Sequence, residues 1–448
     1  MVQKPSFSSA EIAQNVIIGL TVSFVALSLG AALGILSGRG AFAGMISAGI
    51  IAFITSVLGG TRVQCSGPTA PMSAVSALVV AFAVSGALDS FTGLKSDHFI
   101  NIVFMLSGGL ILLMGVLRLG RFIALVPNIV ISGFMNGIAV LIWVGQVCVL
   151  FGLGGKTALT GEIWLNLAVT AATLGIIFAA PGFLRQFHPA LARFLPSTLI
   201  AIITVTAFVA TMEIEVEKVS IDATIGSVAE FTELIATQWP LDWSFNVLWL
   251  ALPFALQLSV LGYLDTLLTS RVIDRMVGET TRANKELIAQ GVANSTVALI
   301  GGIPGAQATI RSVLMVKEGA TLRIAGICVG GFVIIEMLMF QHLISFIPQA
   351  VFTGVLIKVG YDVFDFQPLQ IYFRSLRGKK PAHHLHDVSH VEIMLITGVT
   401  LVTVLYDLNA AVIGFTLLIY LLNRFVFASN PIQDLITDVE TEGVRDQP

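Results

Sequence analysis

The sequence is short of charge. Only 11% of its 448 residues are Asp, Glu, Lys or Arg, while 56% are hydrophobic, against roughly a quarter charged in soluble domains. With a mean hydropathy of +0.90, this excludes a water-soluble globular chain, and the net charge of −3 assigns no partner; none is expected among nucleic acids. Cysteine is scarce as well: Cys65, Cys148 and Cys328 are far apart, each in or beside an apolar run, and read as packed thiols with no disulfide or metal site. No P-loop is present, which excludes nucleotide-driven pumping within the chain. The apolar segments offer no convincing nucleophile and base pair, so the chain is not read as an enzyme. Nor does the N-terminus show a small-residue cleavage site after a short apolar region, and its first apolar run is expected to stay in the mature protein.

What the chain does have is apolar runs near 20 residues long, each matching a bilayer core of ~30 Å at ~1.5 Å per residue. Hydropathy and punctuation place spans near 12–36, 41–59, 68–87, 99–117, 121–151, 163–181, 194–211, 247–270, 286–301, 305–317, 322–340, 347–361, 390–406 and 409–428. The expected class is therefore an all-α polytopic membrane protein with fourteen transmembrane segments. With both termini cytoplasmic, the outside receives only Arg39, Lys95, Lys156 and Lys218, and eighteen basic residues fall inside, with Lys358 and Arg311 left within spans. That asymmetry is the expected one, and it suits a bacterial inner membrane.

The longest polar segment, 212–246, is acidic and extracytoplasmic in this topology. It separates a first seven-span half, 1–211, from a second, 247–428, with a short cytoplasmic tail at 429–448. An odd number of spans per half inverts the second relative to the first. The third span of each half, spans three and ten of the chain, is broken by glycine and proline, at Ser66-Gly67-Pro68-Thr69-Ala70-Pro71-Met72 and at Gly301-Gly302-Ile303-Pro304-Gly305-Ala306-Gln307-Ala308-Thr309-Ile310-Arg311-Ser312. We read both as half-helices in corresponding positions of inverted repeats, a pointer to a transport site at the midplane.

Two helix N-termini, each with unpaired N–H groups and about half a positive charge, can hold an anion between them without a metal. Gly305, Ala306 and Ala308 keep the approach open, and Thr69, Gln307 and Thr309 can donate to the anion. Arg311 is a guanidinium near the membrane centre, which costs roughly 2.5–3.5 kcal/mol even on the milder scale and so marks function. Asp265 and Thr269, four apart on one face of the eighth span, have three readings: they coordinate a cation, Asp265 carries a proton, or Asp265 neutralises Arg311. Two helix ends and Arg311 give a charge of about +2, which matches a dianion when Asp265 is protonated and a monoanion when it is ionised. His383, His384, His386 and His390 crowd one cytoplasmic loop with Asp387, and read as a solvated basic loop near anionic lipid, not as a metal site.

The same residues resemble the SulP (sulfate permease) family of solute carrier 26-like anion transporters, which includes cyanobacterial bicarbonate transporters, plant sulfate transporters and animal anion exchangers. The resemblance rests on Gly59-Gly60-Thr61 with Ser66 to Met72, on Pro127 to Phe134 with Gly137, and on Asn284 to Gly291 with Asn294. It rests further on Gly302 to Gly305 with Arg311-Ser312, and on Asp407-Leu408 with Ala411-Val412 and Gly414. It implies a seven-plus-seven inverted-repeat fold with core and gate domains, usually dimeric, and an elevator-like mechanism. It also implies anion contacts at Thr69, Gln307, Ala308, Thr309 and Arg311, and a sodium-site pair at Asp265 and Thr269. Arg311 matches the sulfate-transporting and animal members, and sodium-coupled bicarbonate transporters lack it. Ser28 stands where the family has proline, and residues 429–448 are too few for the usual STAS domain, so none is expected. The resulting expectation is a secondary active transporter of small inorganic oxyanions, sulfate first, coupled to protons or working by exchange. A sodium-dependent bicarbonate symporter is the alternative, and an anion channel or voltage-driven motor is the alternative of another class. No cofactor is expected beyond a coupling proton or sodium; the expected partners are a small anion, membrane lipid and a second copy of the chain.

Overall fold

The computed structural model describes residues 8–88, 94–154, 158–187, 197–219, 228–240, 243–377, 388–406, 408–427 and 432. The expectations for both termini, for a tail without a STAS domain, and for His383, His384, His386 and Asp387 lie outside them. Within them the regular structure is helical apart from one short ribbon and two isolated bridges, as expected where backbone groups in lipid must be satisfied internally. The first half holds α1 (Ser9–Leu36), α2 (Gly40–Leu58), α3 (Ala70–Val84), α4 (Ser96–Val116), α5 (Asn128–Phe151), α6 (Ile163–Phe187) and α7 (Ser197–Thr211). After α8 (Val228–Gln238) follow α9 (Phe245–Val277), α10 (Ala283–Ala298), α11 (Thr309–Lys317), α12 (Arg323–Ile344), α13 (Gln349–Val363), α14 (Gln367–Leu376), α15 (His390–Leu405) and α16 (Leu408–Phe425). Seven of these are long and apolar enough to cross a membrane by length and composition: α1, α2, α4, α5, α6, α9 and α12.

The helices sort into two packing groups. In the first, α4 lies against α9 and α10, α2 against α10 and α12, and α1 against α2 and α12; in the second, α5 lies against α13 and α15, α6 against α7 and α13, and α15 against α16. Small residues allow the close approaches in the first group. A Cβ on Gly291 would lie 2.7 Å from the Leu112 Cα, and one on Gly108 would lie 2.6 Å from the Ser295 nitrogen, so α4 and α10 meet nearly backbone to backbone. The short helices α3 and α11 sit at the boundary: α3 touches α1, α4 and α9 on one side and α5 and α13 on the other, and α11 touches α1 and α9.

Three segments differ from the sequence reading. The fifth span starts at Asn128 and not near 121, because Pro127 stands at the N-cap in extended backbone and 119–125 forms a separate 3₁₀ turn; proline suits a helix start and breaks an interior. The acidic segment 212–246 is not merely a linker. Val216 bridges Gly161, Lys218 bridges Pro348, and Glu217 accepts from the Thr160 N–H at 2.7 Å and the Gln349 side chain at 2.9 Å. Its later part, α8, is tied to the first group by Asn101, which donates to the Gln238 carbonyl at 2.8 Å, and by Arg39, which donates to Gln238 Oε1 at 3.1 Å. Finally, α14 is a short helix that hydropathy left as loop, with Tyr372 Oη 2.7 Å from His390 Nδ1.

Candidate functional site

The two glycine/proline breaks meet. Ser66–Gly67 (β1) and Ala306–Gln307 (β2) form an antiparallel two-residue ribbon, with Ser66 opposite Gln307 and Gly67 opposite Ala306. The Ala308 N–H extends it to the Cys65 carbonyl at 3.0 Å, and the Cys65 N–H reaches Ser312 Oγ at 3.1 Å. Each strand runs directly into its helix, β1 into α3 and β2 into α11, so the ribbon fixes both N-termini side by side. Gly305 makes this crossing possible: a Cβ there would lie 2.8 Å from the Pro68 nitrogen and closer still to the Gly67 carbonyl. From behind, α10 clamps the turn. Gln290 and Asn294 both donate to the Gly305 carbonyl at 2.9 Å, and Asn294 Oδ1 accepts from the Gly305 N–H at 3.0 Å.

Neither helix start is capped by its own N-cap side chain. Ala308 has none to offer, and Thr69, in extended backbone, points its hydroxyl elsewhere. Thr69 Oγ1 donates to Asp265 Oδ2 at 2.7 Å, and the Thr269 and Thr309 hydroxyls are 2.6 Å apart. The eighth-span pair thus touches both broken helices, Asp265 at α3 and Thr269 at α11. A cavity of about 160 Å³ opens at this point, lined on one side by Pro71, Asp265, Thr269 and Thr309, and on the other by Val130, Phe134 and Val412 of α5 and α16. It lies between the two packing groups, with polar atoms on the first group's wall and apolar side chains opposite.

The predicted site residues divide accordingly. Asp265, Thr269 and Thr309 line the cavity, and buried Thr69 is hydrogen-bonded to its wall. Gln307 and Ala308 are buried in the ribbon and its extension, where Ser270 Oγ donates to Gln307 Oε1 at 2.6 Å. Arg311 is not on the cavity wall. It is 1% exposed, its Nη2 donates to the Pro68 carbonyl at 2.8 Å, and a Cβ on Gly67 would lie 3.0 Å from Nη1. The guanidinium is packed behind β1, with Nη1 unpartnered among the described residues, and it forms no direct ion pair with Asp265, whose carboxylate is engaged by Thr69 instead.

Sequence reading missed three kinds of residue. Gln290 and Asn294 were visible as a polar pair at i, i+4 on a span, but nothing local says that they hold Gly305. Glu286, fully buried, accepts from the Gly60 and Thr61 N–H groups at 2.6 and 2.8 Å and fixes the loop leading to β1. Glu336, 5% exposed in α12, is a second carboxylate within an apolar span besides Asp265.

A model of the sulfate permease family matches residues 12–377. The chain belongs to that family. Membership makes it a transporter-family protein and not an enzyme. It is 32% identical over 410 residues to the bicarbonate transporter BicA of Picosynechococcus, an alignment covering 88% of this chain and 67% of that protein. It is 27% identical over 394 residues to the putative sulfate transporter YbaR of Bacillus subtilis, covering 87% and 73% respectively. The chain therefore spans about two thirds to three quarters of these relatives. Among solved structures, the transmembrane domain of a cyanobacterial BicA superposes with a TM-score of 0.75 at 28% identity, covering 91% of this chain and 98% of that one. SLC26A9, at 15% identity and a TM-score of 0.71, shares the fold.

Proposed function

We propose that this sulfate permease family member is a secondary active transporter of a small inorganic oxyanion, held between the N-termini of α3 and α11 and coupled to a cation at Asp265 and Thr269. The observation that carries the reading is the Thr69–Asp265 hydrogen bond beside the Thr269–Thr309 contact on one cavity wall. A carboxylate and hydroxyls there suit a sodium ion or a proton, while two uncapped helix ends suit an anion. With Arg311 behind the ribbon, the charge at the cavity is about +1 from the helix ends and −1 from ionised Asp265. A monoanion entering with one cation is matched better than a dianion. This charge balance supports a reading with bicarbonate ahead of sulfate, the reverse of the order that Arg311 suggests from sequence, and the similarity to BicA supports it too.

The pairing of helices supports fourteen spans arranged as inverted repeats. Number the spans by omitting α8 and α14, so that α1 to α7 are one to seven and α9 to α13, α15 and α16 are eight to fourteen. Exchanging each span with the one seven places on turns the contact of α2 with α12 into that of α10 with α4. The same exchange turns α1 with α12 into α9 with α4, and α5 with α15 into α13 with α6. The first packing group then corresponds to a core that carries the site, the second to a gate that supplies the apolar wall, and transport follows movement of one past the other.

One observation favours a second reading, proton-coupled sulfate transport: the unpartnered Nη1 of Arg311 is a donor free to serve a dianion once Asp265 is protonated. Uptake of labelled bicarbonate and sulfate into liposomes carrying the full chain, under separately imposed sodium and proton gradients, separates the two. Sodium-driven bicarbonate uptake is expected. Proton-driven sulfate uptake indifferent to sodium establishes the second reading, and unsaturable flux without coupling to either gradient establishes a channel.

A further inference from the structure

Glu336 belongs to no part of the site described above. It lies in α12 with its side chain against α1, 95% removed from solvent. Its Oε1 is 2.5 Å from Ser23 Oγ, and its Oε2 has no partner among the described residues. No ion pair reaches it among the described residues, and its sequence neighbours on α12, Ile334 to Met339, carry no charge. The face of α1 around Ser23, from Gly19 to Leu27, has no titratable residue, and neither has the stretch of α2 from Gly49 to Phe53 that packs on α12 around Gly330 and Val333.

Burial without a cation, and with Ser23 as its one hydrogen-bond partner among the described residues, favours the protonated carboxyl of Glu336. Ser23 Oγ also stands 2.7 Å from the Leu20 carbonyl oxygen of its own helix. A serine hydroxyl carries one proton and can donate only once. That one proton can serve either the Leu20 carbonyl or Oε1, so an ionised Glu336 has a single shared neutral donor for its whole charge, in a place where an unpaired charge is strongly disfavoured. As a neutral acid the carboxyl can itself donate to Ser23 Oγ, which leaves the Ser23 O–H for the Leu20 carbonyl and Oε2 as an uncharged carbonyl oxygen.

We infer that Glu336 is an intramembrane proton-binding site, occupied in this conformation, independent of Asp265 and outside the lining of the anion cavity. Its position gives the proton a consequence. One helical turn beyond the pair, Leu27 and Phe340 line an apolar cavity of about 420 Å³ between α1 and α12 of the first group and α7 and α13 of the second, which contribute Ile202 and Phe352 among others. Loss of the proton would leave a buried carboxylate with one neutral donor and no cation beside the seam between the two groups, so occupancy of Glu336 biases that seam.

Infrared spectroscopy of the purified full chain tests this without reference to any transported anion. At neutral pH a protonated-carboxyl C=O stretching band is expected that disappears in Glu336→Gln and persists in Asp265→Asn. If Glu336→Gln does not fold, Ser23→Ala carries the test: it keeps the carboxyl but removes its acceptor, and the band is expected to shift in frequency. A spectrum without such a band, or a band unmoved by either Glu336→Gln or Ser23→Ala, overturns the proposal. In liposomes, uptake by Glu336→Gln is expected to depend on pH by about one proton less steeply than wild type. An unchanged slope removes the link to the seam.

Discussion

Alanine at position 305 is the sharpest test of the ribbon, because it changes one hydrogen to a methyl and touches no proposed ligand. The added carbon would stand 2.8 Å from the Pro68 nitrogen and nearer to the Gly67 carbonyl, whereas non-bonded carbons settle at roughly 3.5–4.0 Å. The neighbours are backbone and cannot rotate away, so the two strands must part by about 1 Å to restore contact at ordinary distance. The bond from the Ala308 N–H to the Cys65 carbonyl, now 3.0 Å, would stretch to about 4 Å and cease to count. A buried N–H left without a partner costs about 1–3 kcal/mol, and a displacement of 1 Å at a positioned site costs on the order of 100-fold in rate. Gly305→Ala is therefore expected to lower the melting temperature and reduce uptake about 100-fold, while Gly109→Ala on α4, whose Cβ would meet nothing within 4 Å, leaves both unchanged. Wild-type uptake by Gly305→Ala in liposomes would refute the claim that the ribbon positions the two helix ends.

Asp265→Asn is expected to abolish cation dependence, because the carboxylate that accepts from Thr69 is the charge a coupling ion sees; uptake measured against external sodium and pH reports it. If protonation of Asp265 is instead what admits a dianion, the same variant transports sulfate with its acid dependence lost. Thr269→Val removes one of the two hydroxyls that meet across α9 and α11, and should weaken the coupling cation by about 1–2 kcal/mol, or roughly tenfold in half-saturating concentration. Arg311→Met leaves the Pro68 carbonyl without its donor and should destabilise the fold by about 1–3 kcal/mol, with anion affinity changed by less than about threefold. A tenfold loss of affinity at unchanged melting temperature would instead make Arg311 a direct ligand. Val412→Trp fills the 160 Å³ cavity from the gate side and should reduce uptake to background while the core stays folded.

How far the site was legible from sequence follows from the range of each interaction. Glycine and proline at 66–71 and 301–305 are local punctuation, and they located both broken helices because backbone breaks in an apolar span need a reason that neighbouring residues cannot supply. Spacing of four residues put Asp265 and Thr269 on one face, and both line the same wall. What sequence cannot give is the direction in which a long side chain leaves a helix end. Arg311, two residues beyond the first residue of α11, is on the turn that faces back toward β1, and its stem carries the guanidinium past Gly67 to the Pro68 carbonyl. The cost of burying it marked the residue correctly as non-random, but that cost is met equally by holding the ribbon and by holding an anion. Glu336 was hidden for the complementary reason. A single carboxyl in an apolar helix is read through its charge, and this one is accommodated by a proton shared with Ser23 313 positions away. These two buried groups therefore sort by what satisfies them: Arg311 donates to the Pro68 carbonyl, while Glu336 gives its charge up.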